Sequence, residues 1–455
     1  MDAVTNAENL HRLVKQALDS GEAASIEAAE AMFRGYRLAF HIEESGRADH
    51  QAALLTGVAL ARRVFLGGVS VTGDLDVPLA VPMPFGETLH SAVETLGASS
   101  AHAPAGTPAV SIAASPRPRL SGFHVRTAFS GWRGGVVPAH AEAMPHGSAM
   151  PLAPMLAAAL AVNEAYLHVR GERGDAGLRS QGLSLWHPDA SVDWRLDDDT
   201  EPVLAYLPAR LWLIGLGHLG QAYLWALGLL PYPQPSGLEL LLQDVDAITT
   251  SSESTSVLSD RSMVGIRKTR AMAAWAERRG FGASIHERLF DGGFRRQGRE
   301  PAIALCGLDN ALGRRPLDRV GFDFVVEAGL GRDHRNFQTM RIHTLPARRS
   351  AAEIWKAAGI VESVEDREAY QDLLRKGQLD QCGVTLLAGK AVGAPFVGSV
   401  AACLAISEVL RLLHGGVLHE LIDLDLRSLE HRLAVSQKRD FSALNPGYVA
   451  AASAG

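Results

Sequence analysis

Residues 209–229 join an apolar strand to an apolar helix through a short glycine-rich turn. The sequence runs ARLWLIGLGHLGQAYLWALGL, so that Gly215, Gly217 and Gly220 form a G-x-G-x-x-G pattern. Glycines at such a turn let the chain reverse tightly and let a phosphate approach the backbone, while the N–H groups of the following helix attract an anion. The segment therefore predicts a nucleotide-binding strand–turn–helix unit.

Predicted strands and helices go on alternating through the second half of the chain. We expect strands at 239–246, 302–307 and 322–329, with helices at 266–279 and 311–319. This alternation predicts an α/β domain whose mostly parallel sheet is covered on both faces. Asp244 lies at the end of the first of these strands, at a position that suits hydrogen bonds to the hydroxyls of a ribose. The pattern leaves NAD and ATP equally open as the nucleotide.

The 455 residues are too many for one ordinary domain. The first half begins in β-α-β order, whereas residues 74–150 are rich in Pro, Gly, Ser and His and leave their fold open. A polar, acidic stretch then separates the halves. We therefore expect five parts: a first lobe at 1–180, a linker at 181–204, a second domain at 205–440, a helical insertion at 350–385 within it, and a flexible tail at 441–455.

Charge and cysteine content exclude several classes of protein. The formal net charge of -6 argues against a nucleic-acid-binding surface. Three cysteines without a CxxC pair form neither a disulfide framework nor a four-cysteine zinc site. The N-terminus lacks the uninterrupted apolar core of a signal peptide, and charges interrupt the longest apolar stretches. We expect a cytoplasmic protein with no membrane span.

Two Ala-rich segments suggest an internal repeat. Residues 151–171 align without gaps to 395–415 and share, among others, Glu164 with Glu408. Either composition alone produces these matches, or the first lobe is a second unit of the same kind that has lost its nucleotide turn.

The stretch DVDAITTSSESTSVLSDRSMVGIRKTRAM (244–272) narrows the choice of nucleotide. Asp244 and Asp246 end a strand, and a VGxxK pattern that ends at Lys268 begins the next helix. In these features the chain resembles the E1/ThiF/MoeB family of adenylating enzymes, where an acidic strand end precedes the motifs SNLxRQ and VGxxK.

A second segment strengthens this resemblance. In ALCGLDNALGRRPLD (304–318), Asp309, Asn310 and Arg314 match the family's DxxDNxxxR motif, although Cys306 stands where the family has its first Asp. The resemblance covers about residues 205–435 and is to bacterial E1-like proteins associated with ubiquitin-like conjugation.

The resemblance implies a Rossmann-like ThiF-type adenylation domain, preceded by a degenerate Rossmann-like lobe as its pseudo-dimer partner. It implies ATP and Mg²⁺ as cofactors and the C-terminal Gly of a ubiquitin-like protein as the group that is adenylated. Carried over residue by residue, it assigns the phosphates to the three glycines and Lys268, the ribose to Asp244, and Mg²⁺ to Asp309. Asp246 and Asn310 complete the expected nucleotide site.

One departure from the family concerns the arginine that grips the phosphates of ATP. A gapless alignment with SNLxRQ places Ser252, Thr255 and Ser256 at the Asn, Arg and Gln positions. The candidates to replace the missing arginine from nearby are Arg261, Arg267 and Arg270.

Relatives also receive an arginine across a dimer or pseudo-dimer interface. In the segment MFRGYRLAF, Arg34 and Arg37 precede the first predicted strand of the first lobe and are the candidates for this role. The alternative is that both are ordinary surface residues.

Many E1-like enzymes pass the activated acyl group to a cysteine. Cys382 follows the polar helical insertion and is the candidate for this thioester, with a structural cysteine as the alternative. Cys403 lies in an apolar helix, and Cys306 ends a strand, so we expect both to be core residues.

Alternative functions follow from the same patterns. A sulfur-carrier-protein adenylyltransferase shares the motifs but commonly carries zinc CxxC pairs. An NAD-dependent oxidoreductase shares the glycine turn and Asp244, but it does not predict Lys268 and Asp309. A scaffold without chemistry is the third alternative. The expected partners are a ubiquitin-like protein and an E2-like acceptor, with the chain as a monomeric pseudo-dimer or a homodimer.

Overall fold

Two mostly parallel β-sheets, one in each half of the chain, organise the structure. The computed structural model describes residues 9–118, 122–142, 144, 149–356 and 363–452. Strands and helices are numbered separately in chain order. Their α/β arrangement confirms the predicted Rossmann-like fold class.

The first sheet has six strands in the order β2-β1-β3-β4-β5-β6. The first four strands run parallel, and β5 and β6 are added antiparallel. Its strands are β1 (Leu38–Ile42), β2 (Val69–Thr72), β3 (Ala109–Ile112), β4 (His124–Ser130), β5 (Arg133–Pro138) and β6 (Gln181–Ser184).

The second sheet has eight strands in the order β10-β9-β8-β11-β12-β13-β14-β15. Its strands are β8 (Arg210–Ile214), β9 (Glu239–Gln243), β10 (Gly282–His286), β11 (Ile303–Cys306), β12 (Phe324–Leu330), β13 (Thr339–Leu345), β14 (His419–Asp425) and β15 (Leu433–Ser436). The first five in chain order run parallel, and the last three are antiparallel. The sequence pattern did not predict β10 or β13.

The two sheets repeat one topology. The order β2-β1-β3-β4-β5-β6 has its counterpart in β9-β8-β11-β12-β13-β14, with the same four parallel and two antiparallel strands. The second sheet adds one strand at each edge. This equivalence favours the true repeat over a chance match of two Ala-rich helices.

Four apolar helices lie between the sheets and form the centre of one shared core. Each contacts partners on more than one side, which explains why these helices are apolar all round. They are α3 (Ala48–Ala61), α5 (Leu152–Arg170), α6 (His218–Leu229) and α12 (Pro395–Leu413).

The equivalent helices of the two halves pack on each other. Tyr166, near the end of α5, contacts Phe396 at the start of α12, with ring centroids 5.6 Å apart. Cys403 in the middle of α12 lies 3.6 Å from the carbonyl oxygen of Leu152 at the start of α5. The two helices therefore run antiparallel, as a local two-fold axis perpendicular to them would produce.

Two of these helices are long and apolar enough to cross a membrane. In both α5 and α12, however, 89% of the apolar window is buried inside the fold. Packing between the two sheets thus accounts for their composition.

Two predicted boundaries differ from the structure. Residues 181–184 were expected in the linker, but they form β6 because Gln181–Ser184 pairs with the edge strand β5. Residues 448–450 were expected in the flexible tail, but they form β16 (Tyr448–Ala450), which pairs with β7 (Tyr206–Pro208). The rings of Tyr206 and Tyr448 are 4.8 Å apart in this pair.

The remaining helices cover the sheets and build the insertion. They are α1 (Val14–Asp19), α2 (Ile26–Arg34), α4 (Leu89–Thr95), α7 (Lys268–Arg278), α8 (Ala311–Arg314), α9 (Ala351–Ile354), α10 (Glu368–Arg375) and α11 (Gln381–Ala388). The predicted helix at 311–319 is thus only four residues long. The last three helices form the predicted insertion at 350–385, of which 357–362 lies outside the described residues, as do 1–8 of the first lobe and 453–455 of the tail.

Candidate functional site

The glycine turn between β8 and α6 is closely packed. Gly215 has a φ of +84°, a left-handed conformation that glycine adopts without strain. A Cβ atom on Gly220 would lie 2.0 Å from the carbonyl oxygen of Gly215, so that helix and strand approach each other only without a side chain there. A Cβ on Gly217, in contrast, would meet nothing within 4 Å, so this backbone faces open space.

Asp244 joins the glycine turn to the neighbouring strand end. Its carboxylate accepts a 2.7 Å hydrogen bond from the N–H of Leu216, in the turn, and a 2.8 Å bond from the N–H of Asp246. Lys268, the first residue of α7, places its Nζ 2.9 Å from Asp246 and 3.9 Å from Asp244. One ammonium group and two carboxylates therefore border the turn.

Asp309 and Asn310 follow β11, the strand next to β8. Their loop lies against the glycine turn, because a Cβ on Gly215 would be 3.1 Å from Gly307. Asp309 is exposed, and no described residue forms a hydrogen bond or ion pair with its carboxylate. Asn310 caps α8, with its side-chain oxygen 2.6 Å from the N–H of Gly313.

Arg314 contacts the loop of Asp309 and Asn310 from the side of the core. Its guanidinium donates to the carbonyl of Leu308 and lies 2.9 Å from the buried carboxylate of Glu327. Glu327 also contacts His343 at 3.1 Å, and the Arg314 guanidinium stacks 4.4 Å from the Trp355 ring. The matched family residue Arg314 is thus held in the core.

Cys306 belongs to the same core. Burial raises the pKa of its thiol to about 12, and the nearby Glu327 carboxylate adds to the shift. A thiol with such a pKa stays protonated near neutral pH and does not act as a nucleophile.

The segment that aligns with the family motif SNLxRQ, and that lacks its arginine, lies on the other side of the glycine turn. Its first part is a short 3-10 helix, Thr250–Ser254, and it then passes the start of α6. The Thr255 side chain lies beside Gly393, which in turn is next to the His218 ring. Ser252 hydrogen-bonds with Thr249 as part of a capping box, which leaves its hydroxyl in a local structural role.

Arg12, which the sequence patterns did not single out, contacts this segment from the N-terminal part of the chain. Its guanidinium donates to Ser251 and its N–H to Ser254, both at 3.1 Å. Its carbonyl accepts from Gly393 at 3.4 Å. Only its position in a polar helical stretch distinguishes Arg12 in the sequence, and that is too common a feature to identify it.

A chain of hydrogen bonds runs from the first lobe to the glycine turn. Arg63, just after α3, donates to the carbonyls of Val257 and Ser259 at 2.9 and 2.8 Å. Gln221 in α6 then bonds the Ser259 hydroxyl at 2.8 Å and the carbonyl of Leu216 at 3.2 Å. Because Leu216 also donates to Asp244, the first lobe is connected to the nucleotide turn through buried polar groups.

The predicted replacement arginines lie in different places. Arg267 donates to the carbonyl of Val245, and Arg270 pairs with Glu287 at 2.9 Å on the surface. Arg261 is exposed beside the first lobe.

The two arginines proposed for the pseudo-dimer interface are both exposed. Arg34 pairs with Glu30 at 2.6 Å and borders a cavity between the lobes. Arg37 packs against the turn at Gly67 and Gly68 and is not among the residues lining that cavity.

Cys382 is the exposed cysteine, whereas Cys306 and Cys403 are buried. It is the second residue of α11, a helix capped by Asp380, whose carboxylate accepts from Gly383 at 2.8 Å. No contact in the described part of the chain joins Cys382 to Lys268 or Asp309. Within the described residues, no group of three or more His, Cys, Asp or Glu side chains is arranged to hold a metal ion.

Similarity to known proteins covers most of the chain. A model of the "BilD N-terminal domain" matches residues 37–185, and a model of the "BilD C-terminal domain" matches 207–416. The bacterial E1-like protein BilD of Collimonas sp. (strain OK412) is 44% identical over 437 residues, which are 93% of this chain and 92% of that protein.

Solved structures of E. coli MccB are more distantly similar. One is 15% identical and covers 50% of this chain and 63% of the MccB chain, with a TM-score of 0.35. The MccB complex with ATP is 14% identical over 51% of this chain, at the same TM-score. This chain spans less than two thirds of MccB, and a TM-score of this size establishes no correspondence between individual residues.

We expect Gly220→Ala to destabilise the fold while Gly217→Ala does not. The added methyl at 220 overlaps a backbone oxygen, which typically costs about 1–3 kcal/mol, more than the helix propensity of alanine returns. Chemical denaturation of the two variants measures this difference. Equal stabilities would show that the turn is looser than described.

His218 predicts a loss of stability in acid. Burial at the start of α6 lowers its pKa from 6.5 to about 4, so the folded protein resists a proton that the unfolded chain accepts. The contribution of His218 to the free energy of unfolding is fully present above pH 6.5. It is lost as the pH falls from 6.5 to 4, which lowers the free energy of unfolding by up to about 3 kcal/mol.

Replacing His218 by Gln should make the pH dependence of the unfolding free energy shallower in this window. The control is His90→Gln, which removes a half-exposed imidazole from the surface and tests whether the loss of any histidine changes the slope. A slope that is the same in both variants would contradict the assignment.

Proposed function

This chain belongs to the BilD family of bacterial E1-like proteins, and from this premise we propose that it adenylates the C-terminal Gly of a ubiquitin-like protein with ATP. The observation that carries the proposal is the meeting of three elements at one sheet edge. The glycine turn, the Asp244–Lys268 pair and the Asp309 loop all follow the carboxyl ends of adjacent parallel strands. Ligands of open α/β sheets bind at this edge.

ATP fits the open side of the turn. A Cβ on Gly217 would meet nothing within 4 Å, and α6 begins at the next residue, so its first N–H groups offer a ready anion site. In the proposed reaction, a carboxylate oxygen of the acceptor attacks the α-phosphorus, the bond to the β-phosphate breaks, and pyrophosphate leaves.

Lys268 is placed to neutralise charge on the phosphates. Its ammonium group pairs with Asp246, whose side chain is 64% exposed. Another anion can therefore replace Asp246 as the partner of Lys268. Exchange of the exposed carboxylate for a phosphate oxygen would keep the lysine paired while it binds substrate. Asp244 remains with the turn and presents its other lone pairs to the ribose.

Mg²⁺ fits Asp309 as a ligand. The carboxylate is exposed and has no hydrogen-bond or ion-pair partner among the described residues, and Mg²⁺ is commonly held by one or two carboxylates together with phosphate oxygens and water. When bound, the ion supplies charge compensation for the leaving pyrophosphate.

Arg12 is our candidate for the missing family arginine. It reaches the 251–254 segment from the first lobe, where Thr255 stands in the arginine position. We therefore prefer Arg12 to Arg261, Arg267 and Arg270 for this role. Because Arg12 comes from the first lobe, we also prefer it to the exposed Arg34 and Arg37 as the arginine that crosses the interface. Arg34, Arg37, Arg261, Arg267 and Arg270 remain secondary candidates.

The first lobe is proposed to be the inactive partner of a pseudo-dimer. At the turn after β1, where the second sheet has Gly215 and Leu216, this lobe has Glu43 and Glu44. Their carboxylates pair with Arg117 and Arg47, and neither residue supplies the glycine that lets a phosphate approach the backbone. We place the boundary of this lobe after β6 and the start of the active domain at β7.

Two alternatives share part of the site. A sulfur-carrier-protein adenylyltransferase would use the same residues on a different acceptor. An NAD-dependent oxidoreductase would use the glycine turn and Asp244, but would give no role to Asp309. Cytoplasmic location, an E2-like partner and the choice between monomer and homodimer remain parts of the proposal.

Replacing Asp309 by Asn should reduce ATP–pyrophosphate exchange at least a hundredfold in the presence of the ubiquitin-like acceptor. The neutral amide is a weaker Mg²⁺ ligand, and the exposed Asp309 side chain forms no hydrogen bond or ion pair with another residue that the structure describes. Exchange of radiolabelled pyrophosphate into ATP measures the effect.

Asp323→Asn is the matched control. Asp323 is also exposed but precedes β12, at the opposite edge of the sheet, so exchange should be unchanged. Equal exchange in both variants would exclude the catalytic assignment of Asp309, and NADH formation without exchange would favour the oxidoreductase.

Cys382→Ser should separate adenylation from acyl transfer. The variant is expected to keep pyrophosphate exchange but to lose a thiol-sensitive conjugate with the acceptor, because the Cys382 thiolate would attack the acyl-adenylate and release AMP. Non-reducing electrophoresis with and without a thiol reductant detects this conjugate. A conjugate that persists in the variant would show that the Cys382 thiol does not carry the acyl group, and Cys382 would then be a structural residue.

A further inference from the structure

A cavity of about 320 Å³ lies between the first lobe and the 250–261 segment of the second. This volume is at the lower end of the range of about 300–1,000 Å³ typical of small-molecule sites. Its walls carry His11, Arg34, Arg62, Arg63 and Arg261, together with two glutamates.

Arg63 brings a buried positive charge to this cavity, and no described carboxylate forms an ion pair with it. It is almost fully buried, and its three hydrogen bonds go to the carbonyls of Ala59, Val257 and Ser259, not to a carboxylate. Carbonyl groups orient a guanidinium but leave its unit charge in place. Burial, with a further contribution from the Arg62 charge, lowers the pKa of Arg63 to about 9, so it remains cationic at neutral pH.

The other arginines differ in how they are paired. Arg62 lies 3.0 Å from Glu253, and Arg34 lies 2.6 Å from Glu30. Arg261 is exposed, and no hydrogen bond or ion pair joins its side chain to another described residue. His11 stays neutral, because burial and the Arg63 charge lower its pKa to about 4.

The cavity therefore has a net positive charge. Its four arginines are opposed by the carboxylates of Glu30 and Glu253 alone, which leaves a formal charge of +2 on the lining. Low-dielectric walls strengthen the attraction of such a group of charges for an anion. Guanidinium groups match the geometry of tetrahedral phosphate oxygens.

The cavity is separate from the proposed ATP site. None of Gly215, Gly217, Asp244, Lys268 and Asp309 is among its lining residues. The 3-10 helix Thr250–Ser254 forms one wall, and Arg12 attaches to this same helix. An anion in the cavity would thus touch the segment that borders the glycine turn without occupying the turn.

We propose that this cavity is a second anion site that binds a phosphate-class ligand, with Arg62, Arg63 and Arg261 as its cations. Inorganic phosphate, pyrophosphate and the phosphate tail of a nucleotide share the required chemistry. This site does not depend on catalysis at the glycine turn.

Isothermal titration of the full chain with pyrophosphate, and separately with orthophosphate and ATP, tests the proposal at low ionic strength. We expect saturable binding of pyrophosphate, and the double variant Arg62→Gln/Arg261→Gln should weaken it at least tenfold, because the net charge of the lining falls to zero. Glu253→Gln should strengthen binding, because it raises that charge to +3. Both substituted arginines are at least partly exposed, so thermal unfolding can verify that the variants remain folded.

Lys268→Gln is the control that separates the two sites. It removes the cation beside the glycine turn and should leave pyrophosphate affinity in the cavity unchanged. Loss of binding in Lys268→Gln with retention in the double variant would place the anion at the turn and overturn the proposal. No binding to the wild-type chain, or binding of ATP alone, would overturn it equally.

Discussion

The packing of α5 against α12 is the interaction on which the rest of the structure depends. Both helices are apolar all round, because each is covered by a sheet on one side and by the helices of the other half on the other. Neither half could bury its own central helix alone, so the two sheets stabilise each other through a common core. This packing also fixes α6, whose Trp225 donates a 3.0 Å hydrogen bond to Thr56 of α3.

The location of the site follows from this arrangement. Helix α6 carries the glycine turn at its start, and its Gln221 bonds the segment that Arg63 holds from the first lobe. A lobe without a glycine turn of its own therefore still shapes the turn of its partner. This structural role gives a physical reason for the first lobe to keep its fold.

The local sequence pattern predicted the structure correctly where a single residue type, such as glycine in the turn, determines the conformation. The helix after the glycine turn spans His218–Leu229 as expected, and the strand and helix patterns around it led to the correct fold class. The sequence also grouped Asp244, Lys268 and Asp309, which the structure places on three adjoining elements. Contacts between distant segments could not be predicted, because Arg12 and Arg63 act through backbone and hydroxyl groups that leave no periodic signal. Strand β16 escaped notice for a similar reason, since its partner β7 lies more than 230 residues away in the chain.

The duplicated topology has a consequence for assembly. When two equivalent halves belong to one polypeptide, their encounter is intramolecular and its equilibrium does not depend on how much protein is present. Dilution that would dissociate a pair of separate subunits leaves this pair intact. The two halves can then diverge in sequence and take different roles, because every molecule contains one copy of each half.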